Sequence, residues 1–136
     1  MKSVNIAFLD EIMEPLIGGA DDDEAQDYFM NYDFNGDNDY RMIIDRFILP
    51  NYQSKSERMK SKIKETLRFS LSKKGFPFER RFYALLPPFD APSDPRDFYL
   101  WIWEELFGSE PYLIEDLSDY TEVDDPEEPL YLDMKQ

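Results

Sequence analysis

Residues 54–75 read SKSERMKSKIKETLRFSLSKKG, and this stretch decides the fold. Met59, Ile63, Leu67 and Leu71 recur at intervals of four, which on a helix of 3.6 residues per turn stacks them along one face. Lysines and arginines surround them. Gly75 supplies the stop, because glycine enters the left-handed conformation that closes a helix at no steric cost. The spacing predicts a basic amphipathic helix whose apolar stripe needs a core to cover it. Such a helix suits a membrane surface, a calmodulin-like protein or nucleic acid. Here acids lie on both sides of it in sequence, so the expected partner is internal, with aliphatic stems on apolar surface and charged heads near carboxylates.

The charge pattern of the whole chain supports that expectation. Residues 1–50 hold 12 acids and 3 bases, residues 51–81 hold 3 acids and 10 bases, and residues 82–136 hold 15 acids and 2 bases. A net charge of −15 disfavours direct nucleic-acid binding, because phosphates would meet two repelling thirds. Aromatic residues make up 16% of the chain, too many for a disordered acidic tail, and 136 residues suffice for one domain with a core of its own.

Working outward from the basic helix, Phe8, Leu9, Ile12, Met13 and Leu16 predict a first helix, with Ser3 as N-cap, Pro15 in its last turn and Gly18-Gly19 ending it. DDDEAQDYFMNY, residues 21–32, predicts a second, with acids at the positive end of the helix dipole. Tyr40, Ile43, Ile44, Phe47 and Ile48 predict a third, stopped by Pro50. Phe82, Tyr83, Leu85 and Leu86 form a short run bounded by prolines, expected as a strand or extended segment near 82–86. Prolines 87, 88, 92 and 95 make a stiff connection. Asp94 as N-cap, Pro95 at the first position, Asp97 in the first turn and Gly108 beyond the end predict a further helix, apolar almost all round from Phe98 to Trp103. EPYLIEDLSDY, residues 110–120, is expected as a short helix, and residues 121–136 as an extended surface tail anchored by Leu130 to Leu132. The expected architecture is mainly α, a single compact helical domain of about five helices over residues 1–136.

Residues 31–42 order oxygen-bearing side chains like a calcium loop of the EF-hand type: Asn31, Asp33, Asn35, Asp37 and Asp39, with Gly36 at the sharp turn. The twelfth position, which closes the shell with a bidentate glutamate, is Met42. The stretch therefore reads as an Asn-Gly turn leading into a helix. Calcium binding remains an alternative, but no metal or cofactor is expected.

The chain has no cysteine and no histidine, which removes thiolate and imidazole chemistry and with it the commonest nucleophiles, general bases and zinc sites. Carboxylate pairs such as Glu104 with Glu105, or Asp124 with Asp125, are sequence neighbours that do not share a helix face. No enzymatic activity is expected. The first residues carry Asp10, Glu11 and Glu14 where a signal peptide would be apolar, so a cytoplasmic protein is expected, with no membrane partner.

A binding role has more behind it. Tyr99, Trp103, Tyr112 and Tyr120 share the C-terminal half with Glu104, Glu115, Asp116, Asp119, Glu122, Asp124 and Asp125. Aromatics dominate interface energetics, and a field of carboxylates steers and selects a basic protein. These eleven residues are the candidate partner-binding set. Whether Trp101 and Trp103 serve core or interface is open at this point. In size, acidity and lack of catalytic equipment the chain resembles the immunity proteins of bacterial contact-dependent growth inhibition and other polymorphic toxin systems. That resemblance implies an antitoxin-like, non-catalytic inhibitor of a basic toxin, such as a nuclease domain. Alternatives are a DNA mimic of the anti-restriction or anti-CRISPR kind, which competes with nucleic acid for a host protein, and a secretion chaperone.

Overall fold

The computed structural model describes residues 2–14, 37–85 and 92–129. The expected helix over 21–32, the Asn-Gly turn at 31–36, Pro15 with Gly18-Gly19, Pro87 with Pro88, and the anchor at 130–132 lie outside them. The described residues are mainly helical: strand β1 (Lys2–Asn5), α1 (Ala7–Ile12), α2 (Asp37–Ile43), a π-helical turn (Ile44–Ile48), α3 (Leu49–Gln53), α4 (Glu57–Ser72), α5 (Phe78–Ala84), α6 (Pro95–Phe107) and strand β2 (Tyr120–Val123).

Helix α4 is the basic stretch and forms the centre. Met59, Ile63, Leu67 and Leu71 are all buried, as their spacing predicts. The covered face is wider than that stripe, because Thr66 and Ser70 are buried too. Their hydroxyls donate to the carbonyls of Lys62 and Thr66, both at 2.8 Å, which removes the desolvation cost. Ser56 caps the helix, accepting from the Met59 N–H at 3.1 Å, and Gly75 turns the chain beyond it at φ +78°. Against α4 pack α1, β1 and α6, while α2, the π-turn and α5 contact α6.

Helix α6 begins and ends as expected. Asp94 accepts from the Arg96 N–H at 3.1 Å, Pro95 opens the helix, and Gly108 leaves it at φ +66°. Phe98, Tyr99, Ile102 and Trp103 are buried on it. Rings from three elements join there: Phe78 lies 5.0 Å from Tyr99, Phe82 5.6 Å from Phe98, and Tyr40 5.9 Å from Phe98. Such offset and edge contacts suit the quadrupoles of aromatic rings.

Five expectations are corrected. Ser3 lies in strand β1 instead of capping a helix, and α1 begins at Ala7, whose N–H is accepted by Asn5 Oδ1 at 3.1 Å. The third helix does not stop at Pro50. The backbone widens over Ile44–Ile48, the Leu49 N–H reaches back to the Ile44 carbonyl, and Pro50 then sits in the first turn of α3, where its missing N–H costs nothing. Residues 82–84 are helix, not strand, because Phe78 and Phe82 four residues apart supply one buried face. Residues 110–119 form no helix. Side chains of the scaffold occupy their backbone groups instead: Trp103 Nε1 donates to the Glu110 carbonyl at 2.6 Å, Ser72 Oγ donates to the Tyr112 carbonyl at 3.2 Å and accepts from the Ile114 N–H at 2.8 Å. Finally, the expected tail begins with a strand. Strand β2 pairs in parallel with β1, Val4 opposite Glu122 and Asn5 opposite Val123, across almost the full chain.

Candidate interaction surface

The acidic stretch 109–129 holds nine carboxylates and no base. Three of the nine tie it to the scaffold by ion pairs. Glu110 takes Lys64 of α4 at 2.8 Å, Glu122 takes Lys73 just past α4 at 2.8 Å, and Asp124 faces Arg81 of α5 at 3.5 Å. Lys55 likewise meets Glu14 at 2.8 Å, so cations of the basic third find internal acids. Arg81 also holds Asp10 at 2.9 Å, drawing α1, α5 and the end of β2 together. Burial raises the Asp10 carboxyl above its ordinary value and the Arg81 guanidinium offsets only part of that rise.

Asn5 is the other fastening, and a buried one. Its Nδ2 donates to the Asp125 carbonyl and to Glu128 Oε1, both at 2.8 Å, while its Oδ1 accepts from the Ala7 N–H at 3.1 Å and the Asp125 N–H at 2.9 Å. Both donors and both acceptor sites of the amide are used. Nothing in the local sequence marks Asn5; its value comes from residues 120 positions away.

The candidate residues separate into three groups. Tyr99 and Trp103 are core, 0% and 1% exposed, which corrects their assignment as partner anchors. The reason is the continuous apolar face of α6, which the fold wraps on several sides. Burial pushes the Tyr99 hydroxyl far above its ordinary value, and that hydroxyl has no hydrogen-bond partner among the described residues. Trp101 is half-buried, its ring 5.6 Å from that of Tyr40. A second group is structural at the surface. Glu104 is exposed and pairs with Arg41, which also holds Glu105 at 3.0 Å. Tyr112 and Tyr120 are half-buried: the Tyr112 hydroxyl accepts from Arg96 at 3.3 Å, and the Tyr120 ring lies 5.7 Å from Phe69. Glu122 and Asp124 belong here through Lys73 and Arg81.

The third group faces water. Glu115, Asp116, Asp119 and Asp125 are exposed and make no ion pair among the described residues. The hydroxyl and N–H of Ser118 hold the Asp116 carboxyl below its ordinary value. The same stretch exposes two apolar side chains that were not among the candidates, Leu113 and Val123, together with Glu127. Over 112–115 the chain alternates, Tyr112 and Ile114 turning inward and Leu113 and Glu115 outward, as an extended segment does; with Leu113 and Ile114 both aliphatic, the sequence alone carried no signal for it.

A cleft of about 570 Å³ opens between the end of α4 and the start of α6, with Lys73, Lys74, Glu79, Asp94 and Arg96 in its wall. Arg96 is committed there, donating to the Leu71 carbonyl at 3.0 Å. Among the described residues no group of carboxylates is arranged to hold a metal ion, and no helix is long and apolar enough to cross a membrane. Comparison of the chain with family models, curated proteins and solved structures finds no match.

Proposed function

We propose that this protein is a non-catalytic inhibitor of the immunity type, which binds and neutralises a basic protein toxin, a nuclease domain in the first instance. One observation carries the reading. Within 109–129, Glu110, Glu122 and Asp124 meet scaffold cations, and Glu115, Asp116, Asp119, Asp125 and Glu127 are left exposed without one among the described residues. Carboxylates held on a fastened segment form a field that a polyanion-binding protein meets with opposite sign, which speeds encounter and rejects acidic partners. Leu113, at 58% exposed, and Val123 supply apolar contact inside that field. With Tyr99 and Trp103 in the core, these two take the place of aromatic anchors.

The test is co-expression with the toxin domain encoded beside this chain. Growth is expected to be protected by the natural sequence and lost on changing Glu115, Asp116 and Asp119 together to lysine, with circular dichroism unchanged. Protection that survives the triple reversal, or a neighbouring product with no basic domain and no affinity for this chain, sinks the reading.

A further inference from the structure

Resting on that reading, we propose that the outer edge of β2 receives an extended, lysine- or arginine-bearing segment of the partner as a third strand. In the β1–β2 pair the Ile6 N–H donates to the Val123 carbonyl at 2.8 Å, so Val123 directs its backbone towards β1. Alternation along a strand then directs the N–H and C=O of Glu122 the other way. Neither takes a partner among the described residues, and Thr121 through Asp125 are all exposed. An edge of this kind is a template for strand addition, in which main-chain bonds give affinity and alternate side chains give specificity.

The charge of the edge selects the occupant. A second copy of β2 would bring Glu122 and Asp124 against their own kind, and like charges on facing strands repel. In the free protein those two carboxylates meet Lys73 and Arg81, so the charge left to select an incoming strand is that of the exposed Asp119 and Asp125 at the two ends of the edge, which a basic segment meets favourably. Period-two alternation along β2 puts Tyr120 and Glu122 on one face and Thr121 and Val123 on the other, with Asp124 just past its end. The matching segment therefore carries Lys or Arg at every second position with β-branched residues between. Asp119 precedes the edge and Asp125 follows it, extending the same sign at both ends.

The probe is an end-blocked octapeptide of alternating Lys and Val, titrated into the isotopically labelled chain at low salt, with the Glu/Val octapeptide as control. Binding is expected for Lys/Val alone, with slowed exchange of the Glu122 amide. Glu122→Ala and Glu122→Pro both remove the carboxylate, but only proline removes the outward N–H, and it takes no bond from the β1 ladder. Glu122→Pro is expected to bind roughly five- to tenfold more weakly than Glu122→Ala, the effect of one backbone hydrogen bond. Should the proline variant fold poorly, an octapeptide N-methylated at alternate nitrogens, titrated into the natural chain, cuts the reciprocal bond from the peptide N–H to the Glu122 carbonyl, with a similar expected loss. Equal affinities in both comparisons, or no Lys/Val binding, overturn strand addition. The inhibitor reading falls separately, by absent protection in co-expression.

Discussion

Along α4 two lysines turn back onto the molecule while Arg58 and Lys62 stay exposed: Lys64 lies 4.9 Å from the Phe107 ring centre and binds Glu110, and Lys60 lies 5.9 Å from the Tyr52 ring centre. Along 109–129 the charges divide, some fastening the segment and others facing water. Both stretches are strongly charged, yet one is scaffold and the other is a surface held on it. A charge run therefore acquires meaning only from its surroundings, since an ion pair at the protein surface contributes little stability while fixing geometry.

The largest effect expected from this contrast concerns two apolar residues of neighbouring segments. Trp103 is buried, its ring tilted against that of Phe107 at 4.4 Å between centres, and its indole N–H fastens Glu110. Trp103→Ala is expected to cost about 3–5 kcal/mol in urea unfolding. Leu113→Ala, at an exposed position, is expected to stay within about 0.5 kcal/mol. A comparable loss at Leu113 would break the distinction between core and displayed surface.

Next in size is Asn5→Ala. It leaves the backbone groups of Ala7 and Asp125 without their side-chain partner, and a cost of about 2–3 kcal/mol is expected from several net hydrogen bonds. Amide exchange sharpens the comparison: residues 120–125 should lose protection while the centre of α4 keeps it. Uniform loss along both would mean that the acidic segment is no separate layer.

What could be read from the sequence follows the range of the interactions involved. The α4 stripe and the α6 caps are local, decided within a few residues, and Met59, Ile63, Leu67, Asp94, Pro95 and Gly108 announced them. The β1–β2 pair is not local. KSVN and YTEV carry little strand signal alone and become strands because they meet across the chain, with Asn5 locking the junction. The same holds for 110–119, where an apolar and acidic mixture reads as helix until Ser72 and Trp103 claim its backbone. At the surface, the exposed acids Glu115, Asp116 and Asp119 were legible from composition. The burial of Tyr99 and Trp103 required knowing how many elements surround α6.

The smallest effect separates a scaffold acid from a surface acid by the sign of its pH dependence. Asp45 stands at the π-turn, where partial desolvation, and then its neighbour Glu105, hold its carboxyl above the ordinary 3.8; Arg41 opposes them only in part. A raised carboxyl disfavours the charged folded state, so its contribution is fully present below pH 3.8 and is lost as pH rises through the folded value. Asp45→Asn is therefore expected to stabilise the protein at pH 7 by about 0.3 kcal/mol, the scale of exposed ionic contacts, and to lose that advantage in acid. Asp116 runs the other way. Its carboxyl is held low by Ser118, so its contribution is present above pH 3.8 and is lost as pH falls through the folded value. Asp116→Asn is expected to lower the melting temperature at pH 7 and to converge with the natural chain in acid. Melting curves at pH 7 and pH 3 read both, and shifts of the same sign for the two variants at pH 7 would erase the electrostatic difference between the contact of the π-turn with α6 and the displayed segment.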